Sequence, residues 1–324
     1  MKISIILPFK NAEPWLKETI ESILQQTFTN WELICINDHS TDIGAKIIRD
    51  FKDSRIQVIQ NDGIGIIAAL QWGLKSSQGE FITRMDADDL MPLNRLKIMH
   101  NSLIHTPKKT IVTGKVKYIA EGELSDGFLN YQKWVNNRID SNDHYKHIYR
   151  ECVVASPNWL TRKQDLIESN LFDKLQYPED YDLVFHWFEN NFKIEALHET
   201  TLLWRDHPTR TSKNSETYNQ AALFRLKIEW FVRLMNSDKS LALLGAGTKG
   251  KLSMALLQSQ NVKATWYDLN YKNYTAPLFG AAIQDYNQIN EDLLLISIYP
   301  KDQTELIEFL ETKGYIIGKN AWFL

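Results

Sequence analysis

Short apolar runs alternate with helical patterns along the first third of the chain. Runs at Ile3–Leu7, Glu32–Ile36 and Ile56–Ile59 have the length of strands, and each is followed by a polar turn and then by apolar residues at helical spacing. An order of strand, helix, strand and helix predicts right-handed βαβ units and a parallel sheet. Ligands bind such sheets beyond the carboxyl ends of the strands. The pattern therefore predicts an α/β fold with its site at that edge.

Polar loops follow these strands and are expected to meet at one rim. They are Pro8–Asn11, Asn37–Asp42 and Asn61–Gly65. Asn11 and Ser40 are suitable caps for the helices that follow. Gly63 and Gly65 permit close backbone approach or a positive φ, although a simple strand-to-helix turn would also explain them.

An acidic stretch follows a further apolar run, Phe81–Thr83. We call its six residues, Arg84–Asp89, the acidic loop. Three carboxylates within four positions repel one another unless a cation lies among them. A divalent ion that carries a phosphorylated ligand would supply that cation. The alternative is a solvated loop in which Asp88 or Asp89 caps a helix that begins near Pro92.

Two later segments also carry candidate chemistry. Glu179 and Asp180 follow Pro178 at the predicted start of a helix, whose Tyr181, Phe185 and Phe188 are expected on one side. Acidic residues favour the dipole of a helix start, so they could be purely structural, or one could be a carboxylate base facing a cleft. Farther along, a strand ends in Arg205 and His207, and this histidine is either a satisfied polar group or a ligand.

Composition narrows the class of protein. The 324 residues suffice for two domains, and a net charge of −3 argues against a general nucleic-acid binder. No apolar run approaches the roughly 20 residues that cross a bilayer. Cys35 and Cys152 lack metal-binding spacing, which favours a reducing compartment. We therefore expect a cytoplasmic protein.

Taken together, these pieces resemble the family 2 glycosyltransferases over about residues 1–212. The matching segments are Ile5–Pro8 with Asn11, Ile36–Asp38 with Ser40–Asp42, Asn61 with Gly63 and Gly65, Asp86–Asp89, Glu179–Leu183, and Arg205 with His207. The resemblance implies a GT-A fold, a Rossmann-like mixed sheet flanked by helices, and an inverting enzyme that uses a nucleotide-sugar. It also implies Mg²⁺ or Mn²⁺ as the cofactor.

The resemblance assigns roles to individual positions. On the donor side, it implies that Asp38 contacts the nucleotide base, that Asp86 approaches the ribose, and that Pro8, Asn11, Asn61, Gly63 and Arg84 lie around the nucleotide. Asp88 and His207 match the metal-binding positions. Asp180, with Glu179 beside it, matches the general base near the acceptor.

Three positions depart from the family pattern. His39 stands where a small residue, usually glycine, follows the base-contacting aspartate, Ala69–Gln71 replaces an Ala-Arg-Asn sequence, and Ser156–Pro157 replaces a His-Pro sequence. None of these changes removes the predicted metal or base positions.

The last third of the chain predicts a helical connector and a second domain. Residues 213–237 have helical periodicity, and residues 238–324 read as a small Rossmann-like domain. Gly245, Gly247 and Gly250 with Asp268 satisfy a dinucleotide fingerprint. Leu252 stands where a P-loop needs serine or threonine, so we discount an NTPase. The loop is either a second nucleotide site or a tight turn in a domain that packs or forms a homo-oligomer.

The combined prediction is a metal-dependent glycosyltransferase that uses a nucleotide-sugar donor, and the expected donor is a UDP-sugar. The enzyme transfers the sugar to a hydroxyl of a saccharide or lipid-linked saccharide in surface polysaccharide synthesis. A lipid-linked acceptor would bring the enzyme to the inner face of the membrane. Residues 121–150 are expected to form a loop with helical pieces that lines the acceptor site. The alternatives are an NAD(P)-dependent sugar oxidoreductase or a sugar-nucleotide binding protein centred on the second glycine loop.

Overall fold

The computed structural model describes residues 1–235, 238–298 and 303–324. The chain forms two compact units. The first comprises Met1–His144 and Val153–Asn214, and the second comprises Tyr145–Cys152 and Ser215–Leu324. The change of unit after Asn214 lies close to the predicted domain end at residue 212. Residues 236 and 237, at the end of the predicted connector, lie outside the described residues.

The first unit contains seven strands and eight helices among its described elements. The strands are β1 (Ile3–Phe9), β2 (Trp31–Asn37), β3 (Ile56–Gln60), β4 (Phe81–Arg84), β5 (Thr110–Ala120), β6 (Leu160–Arg162) and β7 (Lys193–Asp206). The helices are α1 (Glu13–Leu24), α2 (Gly44–Asp50), α3 (Ile66–Ser76), α4 (Arg95–Leu103), α5 (Asp126–Ser141), α6 (Lys163–Glu168), α7 (Glu179–Glu189) and α8 (Thr211–Asn214).

One mixed sheet holds these strands in the order β3-β2-β1-β4-β6-β5-β7. The strands β1 to β4 are mutually parallel, and β6 runs antiparallel to its neighbours β4 and β5. Every residue of β1 is buried, as expected for a central strand covered on both faces. The predicted α/β fold is confirmed, and the loops after β1, β2, β3 and β4 share one rim of the sheet.

The starts of α1 and α2 are joined by one side chain. Asp42 accepts hydrogen bonds from the backbone N–H of Glu13 at 2.8 Å and from that of Gly44 at 3.0 Å. The predicted caps were therefore wrong: Asn11 instead accepts from the N–H of Thr41 at 2.8 Å. Asp42 satisfies one otherwise unpaired N–H at each helix start.

The segment 121–150 is more regular than its sequence predicted. Its main element is the 16-residue helix α5 rather than a loop with helical pieces. The helix packs on β5 and β7 through an aromatic cluster, in which Tyr118 and Trp204 stack with ring centroids 5.1 Å apart. Burial of these rings explains why a segment of low helical periodicity is ordered.

The second unit is a five-stranded parallel sheet with flanking helices. Its elements are α9 (Gln220–Leu234), β8 (Leu241–Leu244), α10 (Thr248–Ser259), β9 (Thr265–Asp268), β10 (Ile283–Asp285), β11 (Leu293–Ile296), α11 (Thr304–Thr312) and β12 (Ala321–Phe323). The strand order β10-β9-β8-β11-β12 is that of a doubly wound fold, in agreement with the predicted Rossmann-like domain. Within the described residues, no helix combines the length and the apolar character needed to cross a bilayer.

Candidate functional site

Asp38 links the loops that follow β2 and β3. Its side chain is 6% exposed, and Oδ1 accepts from Nδ2 of Asn61 at 2.8 Å and from the N–H of Gly65 at 2.9 Å. Oδ2 lies 3.8 Å from Nζ of Lys10, which follows β1. One carboxylate thus joins the loops after β2 and β3 by hydrogen bonds and forms an ion pair with a lysine after β1, at the position predicted to receive the nucleotide base.

Pro8 and His39 lie in the strand and the loop next to this carboxylate. Pro8 is buried within β1 and is paired with Ile36. His39 has a φ of 56°, and its Nε2 lies 2.8 Å from the carbonyl oxygen of Gly63. Glycine adopts a left-handed φ most readily, and the contact with Gly63 helps to hold histidine there.

Arg84 connects the acidic loop to the start of α7. Its Nε donates to Oδ1 of Asp86 at 2.7 Å and its Nη1 donates to Oε1 of Glu179 at 2.9 Å. The side chains of Arg84 and Glu179 are 9% and 2% exposed. A buried guanidinium therefore orients one carboxylate from each of the two predicted catalytic segments.

Asp88 and His207 meet at the rim of the sheet. Nε2 of His207 lies 2.8 Å from Oδ2 of Asp88, and its Nδ1 lies 3.0 Å from the hydroxyl of Thr209. Trp15, on α1, stacks on the imidazole with ring centroids 3.8 Å apart. The structure thus brings the two predicted metal ligands together from positions 119 residues apart.

Asp89 is the last residue of the acidic loop and is 1% exposed. Oδ1 accepts from the N–H of Arg205 at 2.7 Å, whereas Oδ2 has no hydrogen-bond partner among the described residues. Burial, and then the charges of Asp88 and Asp86, raise the pKa of this carboxyl well above its usual value. Neither Asp88 nor Asp89 caps α4, which begins at Arg95, so the capping alternative was wrong.

The acidic loop carries negative charge that the protein compensates only in part. The pKa of Asp86 is raised by burial and by the nearby charges of Asp88 and Glu179, although Arg84 opposes this. No group of three or more His, Cys, Asp or Glu side chains forms a metal cluster within the described residues. Asp88 and His207 provide one oxygen and one nitrogen, which suits Mg²⁺ or Mn²⁺ when diphosphate oxygens complete the coordination. These residues fit a metal held jointly with a phosphorylated ligand.

Glu179 and Asp180 are adjacent at the start of α7 but have different surroundings. Glu179 is buried against Arg84, whereas Asp180 is partly exposed and accepts from the N–H of Tyr181 at 2.8 Å. Burial, and then the charge of Glu179, raise the pKa of Asp180 to about 7. A carboxylate with a pKa near neutrality suits proton transfer at physiological pH. Phe188, expected on the same side as Tyr181, is 37% exposed, whereas Tyr181 and Phe185 are buried.

Sequence reasoning missed two arginines near the acidic loop. Arg95 is fully buried in α4 and donates to the hydroxyl of Thr83 at 3.1 Å and to the carbonyl oxygens of Arg84 and Pro157. Burial lowers its pKa to about 10, although the acidic loop opposes this shift. No periodicity distinguishes such an arginine from one on a solvated helix face.

Arg210 is the second missed arginine. Its guanidinium carbon lies 5.0 Å from the centre of the Trp204 ring, and Nη1 is buried without a hydrogen-bond partner among the described residues. Burial works against the charged form, but Tyr118 and the acidic loop raise its pKa overall. Its spacing, three residues after His207, was the available signal.

In the second unit, the glycine loop is tightly packed. Gly245 has a φ of 111°, and a Cβ on Gly250 would lie 1.9 Å from the carbonyl oxygen of Gly245. Asp268 uses Oδ2 to accept from the N–H of Ala246 and Oδ1 to accept from that of Asn270, each at 2.7 Å. One carboxylate oxygen therefore has a partner in the glycine loop, and the other has a partner in the turn after β9. A nucleotide site at these residues, including the exposed Gly247, stays a prediction.

Comparison with known proteins identifies relatives of the first unit. A sequence model described as glycosyl transferase family 2 matches residues 4–169. The chain is 33% identical over 141 residues to the Escherichia coli protein named UDP-Glc:alpha-D-GlcNAc-diphosphoundecaprenol beta-1,3-glucosyltransferase WfgD, a match that covers 43% of this chain and 55% of that one. The chain spans between 25% and 55% of the lengths of curated relatives that it matches at 26–33% identity.

Solved structures of similar fold cover more of the chain. Staphylococcus aureus TarS 1–349 in complex with UDP-GlcNAc has a TM-score of 0.56 at 18% identity, covering 79% of this chain and 72% of that one. The Pyrobaculum calidifontis mannosyltransferase PcManGT in complex with GDP-Man and Mn²⁺ has a TM-score of 0.52 at 14% identity, with coverages of 72% and 63%. At these identities the likeness concerns the fold.

Proposed function

The chain belongs to glycosyl transferase family 2, and from that premise we propose that it is a metal-dependent inverting glycosyltransferase. It transfers a sugar from a nucleotide-sugar donor to a hydroxyl of a saccharide acceptor, and the proposed donor is a UDP-sugar. The observation that carries the proposal is the convergence at one rim of three groups: the Asp38 carboxylate, the Asp88–His207 pair and the Glu179–Asp180 pair.

On the donor side, Asp38 accepts from a uracil or other base N–H. Its oxygens are oriented by Asn61 and Gly65, so the carboxylate is held in place before a donor arrives. Preorganised acceptors lose little conformational entropy on binding. Asp86, held by Arg84 just after β4, suits a ribose hydroxyl. The name of the Escherichia coli relative, which specifies UDP-glucose, supports a UDP-sugar donor.

Asp88 and His207 hold the metal ion. When bound, Mg²⁺ or Mn²⁺ neutralises charge on the nucleoside diphosphate that leaves. The cation would also offset the repulsion among the carboxylates of the acidic loop. Burial and this repulsion both disfavour the charged forms of Asp86 and Asp89. The Mn²⁺ in the Pyrobaculum calidifontis neighbour is consistent with this role.

Asp180 is the general base. It accepts the proton of the acceptor hydroxyl, whose oxygen attacks the anomeric carbon on the face opposite the diphosphate. One displacement forms the new glycosidic bond, breaks the bond to the diphosphate and inverts the configuration. Glu179 is the weaker candidate because Oε1 receives a hydrogen bond from the buried Arg84. Its charge instead raises the pKa of Asp180.

The acceptor is a saccharide or a lipid-linked saccharide used in surface polysaccharide synthesis. The diphosphoundecaprenol acceptor in the name of the Escherichia coli relative supports the lipid-linked alternative. Partly buried rings of the cluster on α5, Phe128, Tyr131 and Trp134, suit stacking against sugar rings. A lipid-linked acceptor would bring the enzyme to the inner membrane face.

A panel of nucleotide-sugars tests this proposal. Purified protein is screened by thermal shift with each donor and Mn²⁺, and donors that bind are assayed for hydrolysis or transfer with and without EDTA. We expect one class of UDP-sugar to bind and activity to require the metal. The Asp88→Ala variant should lose this metal-dependent activity. Full metal-dependent activity in Asp88→Ala would refute the metal assignment.

The base is tested separately with Asp180→Asn, which should bind the donor normally and lose transfer by about 100-fold or more. Glu179→Gln is the matched comparison. If Asp180→Asn retained transfer while Glu179→Gln lost it, the base would be Glu179.

A further inference from the structure

Helix α1 turns a polar stripe toward the acidic loop and the end of β7. Its helical residues occupy positions 15, 18, 19 and 22, which place them on one side of the helix. We call this set the α1 stripe: Trp15, Glu18, Thr19 and Ser22 of the helix, together with Gln26, two residues beyond its end. Each member contacts a residue in the acidic loop, just after it, or at the end of β7.

The centre of the stripe bonds the backbone of the acidic loop directly. Oγ1 of Thr19 lies 3.0 Å from the carbonyl oxygen of Ala87 and 3.2 Å from that of Trp15, so the bond to Ala87 is the shorter contact. Thr19 is fully buried. Ala87 stands between Asp86 and Asp88, so this hydroxyl anchors the point from which both carboxylates project.

The carboxyl end of the stripe fixes the segment that follows the loop. Oγ of Ser22 accepts from the N–H of Met91 at 3.0 Å. Gln26 is 3% exposed, donates from Nε2 to the carbonyl oxygen of Pro92 at 2.9 Å, and accepts through Oε1 from the N–H of Leu96 at 3.0 Å. Side chains of α1 and of the turn after it therefore bond backbone groups at four positions between Ala87 and Leu96.

The amino end of the stripe reaches the other predicted ligand. Trp15 stacks on His207, and Glu18 lies 2.6 Å from Nη2 of Arg205. Nε of Arg205 donates in turn to the carbonyl oxygen of Asp88 at 2.7 Å. Glu18 is 60% exposed, so its ion pair contributes little energy. The buried hydroxyl of Thr19 is the stronger anchor.

We propose that the α1 stripe, with Thr19 at its centre, is the positioning element that holds Asp88 and His207 at metal-binding separation. This inference rests on the proposed function for the identity of the bound metal. Like-charged carboxylates on a short loop repel one another, so backbone anchors are needed to keep them close without a cation. Thr19 contacts neither metal nor donor in this scheme, and it acts through the Ala87 carbonyl.

Thr19→Val tests the inference because it removes the hydroxyl and nearly preserves the shape. Thr161→Val is the matched control: Thr161 is fully buried, and its hydroxyl donates to the carbonyl oxygen of Thr110 at 2.8 Å in the same unit. Both variants lose one buried hydrogen bond to a carbonyl, and only Thr19 bonds the acidic loop. Thr19→Ser restores the donor.

The first measurement is hydrogen exchange of a peptide that covers residues 85–91. The amides of Asp89, Leu90 and Met91 are hydrogen-bonded, so their exchange reports opening of this segment. Loss of one hydrogen bond predicts about fivefold faster exchange in Thr19→Val. Thr161→Val and Thr19→Ser should remain at the wild-type rate. Equal exchange in Thr19→Val and Thr161→Val would overturn the inference.

The second measurement is the affinity for Mn²⁺, which is determined by electron paramagnetic resonance with and without UDP. Thr19→Val should bind Mn²⁺ about 10-fold more weakly, as is typical when a group behind a metal ligand is removed. Thr19→Ser should recover the affinity and Thr161→Val should keep it. Should the wild type bind no Mn²⁺ even with UDP, the proposed metal dependence fails, and the exchange result still decides whether the stripe holds the loop.

A second variant, Ser22→Ala, tests the same inference independently, in case Thr19→Val does not fold. Ser22→Ala removes the acceptor of the Met91 N–H at the neighbouring turn of the stripe. It should speed exchange at Met91 and weaken Mn²⁺ binding in the same direction as Thr19→Val. Unchanged exchange at Met91 would count against the stripe as a positioning element.

Discussion

Arg84 and Glu179 are paired at 2.9 Å, although 95 residues separate them in sequence. The pair joins the end of β4 to the start of α7 and is nearly inaccessible to water. Buried ion pairs are sensitive to the loss of one partner, because the remaining charge keeps the cost of its desolvation. This relationship has consequences for both stability and activity.

Replacement of Arg84 by methionine should lower both the stability and the transferase activity of the protein. We expect a loss of about 3 kcal/mol in the free energy of unfolding, measured in urea, because the buried Glu179 carboxylate loses this cation. The double variant Arg84→Met/Glu179→Gln should recover part of that loss. An unfolding free energy in Arg84→Met equal to that of the wild type would show that the pair is energetically unimportant.

The raised pKa of Asp180 predicts the pH dependence of transfer. A base must be deprotonated to act, so kcat/KM should fall as the pH drops below about 7. The acidic limb should have a slope near one and should disappear from the residual activity of Asp180→Asn. An acidic limb that is unchanged in this variant would assign it to another group.

The same carboxyl predicts a change in stability with the opposite sign. Its folded-state pKa of about 7 lies above the unfolded value of about 3.9. The unfolded chain therefore releases this proton first, and the contribution of Asp180 to stability decreases as the pH rises from about 4 to about 7. Asp180→Asn should gain in Tm relative to the wild type over this range, as measured by calorimetry in matched buffers.

Gly65→Ala should disturb the donor site. Gly65 has a φ of 88° and a ψ of 173°, a region that only glycine occupies readily, and an added Cβ would lie 2.6 Å from the hydroxyl oxygen of Tyr177. We expect a stability loss of about 1–3 kcal/mol and weaker binding of UDP, since the N–H of Gly65 orients Asp38.

Gly127→Ala is the control for this change. Its added Cβ would meet only Oγ of Ser125 at 3.7 Å within α5, so helix propensity should leave it neutral or slightly more stable. UDP affinity is measured calorimetrically for both variants. Equal UDP affinities in Gly65→Ala and the wild type would separate Gly65 from the donor site.

Asp268→Ala distinguishes the two interpretations of the second glycine loop. Because both oxygens accept backbone N–H bonds, we expect faster hydrogen exchange at Ala246 and a loss of about 2 kcal/mol of stability. NAD⁺ and UDP-sugars are titrated against both proteins. Wild-type exchange at Ala246 combined with lost nucleotide affinity in Asp268→Ala would favour a binding role over a structural one.

Local patterns predicted the architecture well and the contacts between distant segments poorly. The predicted strand runs Ile3–Leu7, Glu32–Ile36 and Ile56–Ile59 lie within β1, β2 and β3, because apolar runs with flanking polar turns define them. The helix α5 was missed because its order depends on aromatic packing against distant strands. The bond between Thr19 and Ala87 spans 68 residues, and nothing in either local sequence indicates it.

The capping errors at Asn11 and Ser40 have a similar cause. Both residues lie where a cap is expected, and both are of a suitable type. The structure gives the role to Asp42, which reaches across from the neighbouring loop to α1. Spacing within a single segment cannot reveal this partner of α1, since its side chain comes from another strand end. At α2, Asp42 lies in the same loop as Ser40 and takes its place.

The double role of Asp42 ties the lengths of two loops together. A residue inserted before α1, or between β2 and α2, would move one helix start away from a carboxylate that also serves the other. Insertions or deletions in these loops should therefore be tolerated only in compensating pairs. A loop-length library covering residues 10–12 and 38–43 would reveal this as a correlation between the two lengths among folded members.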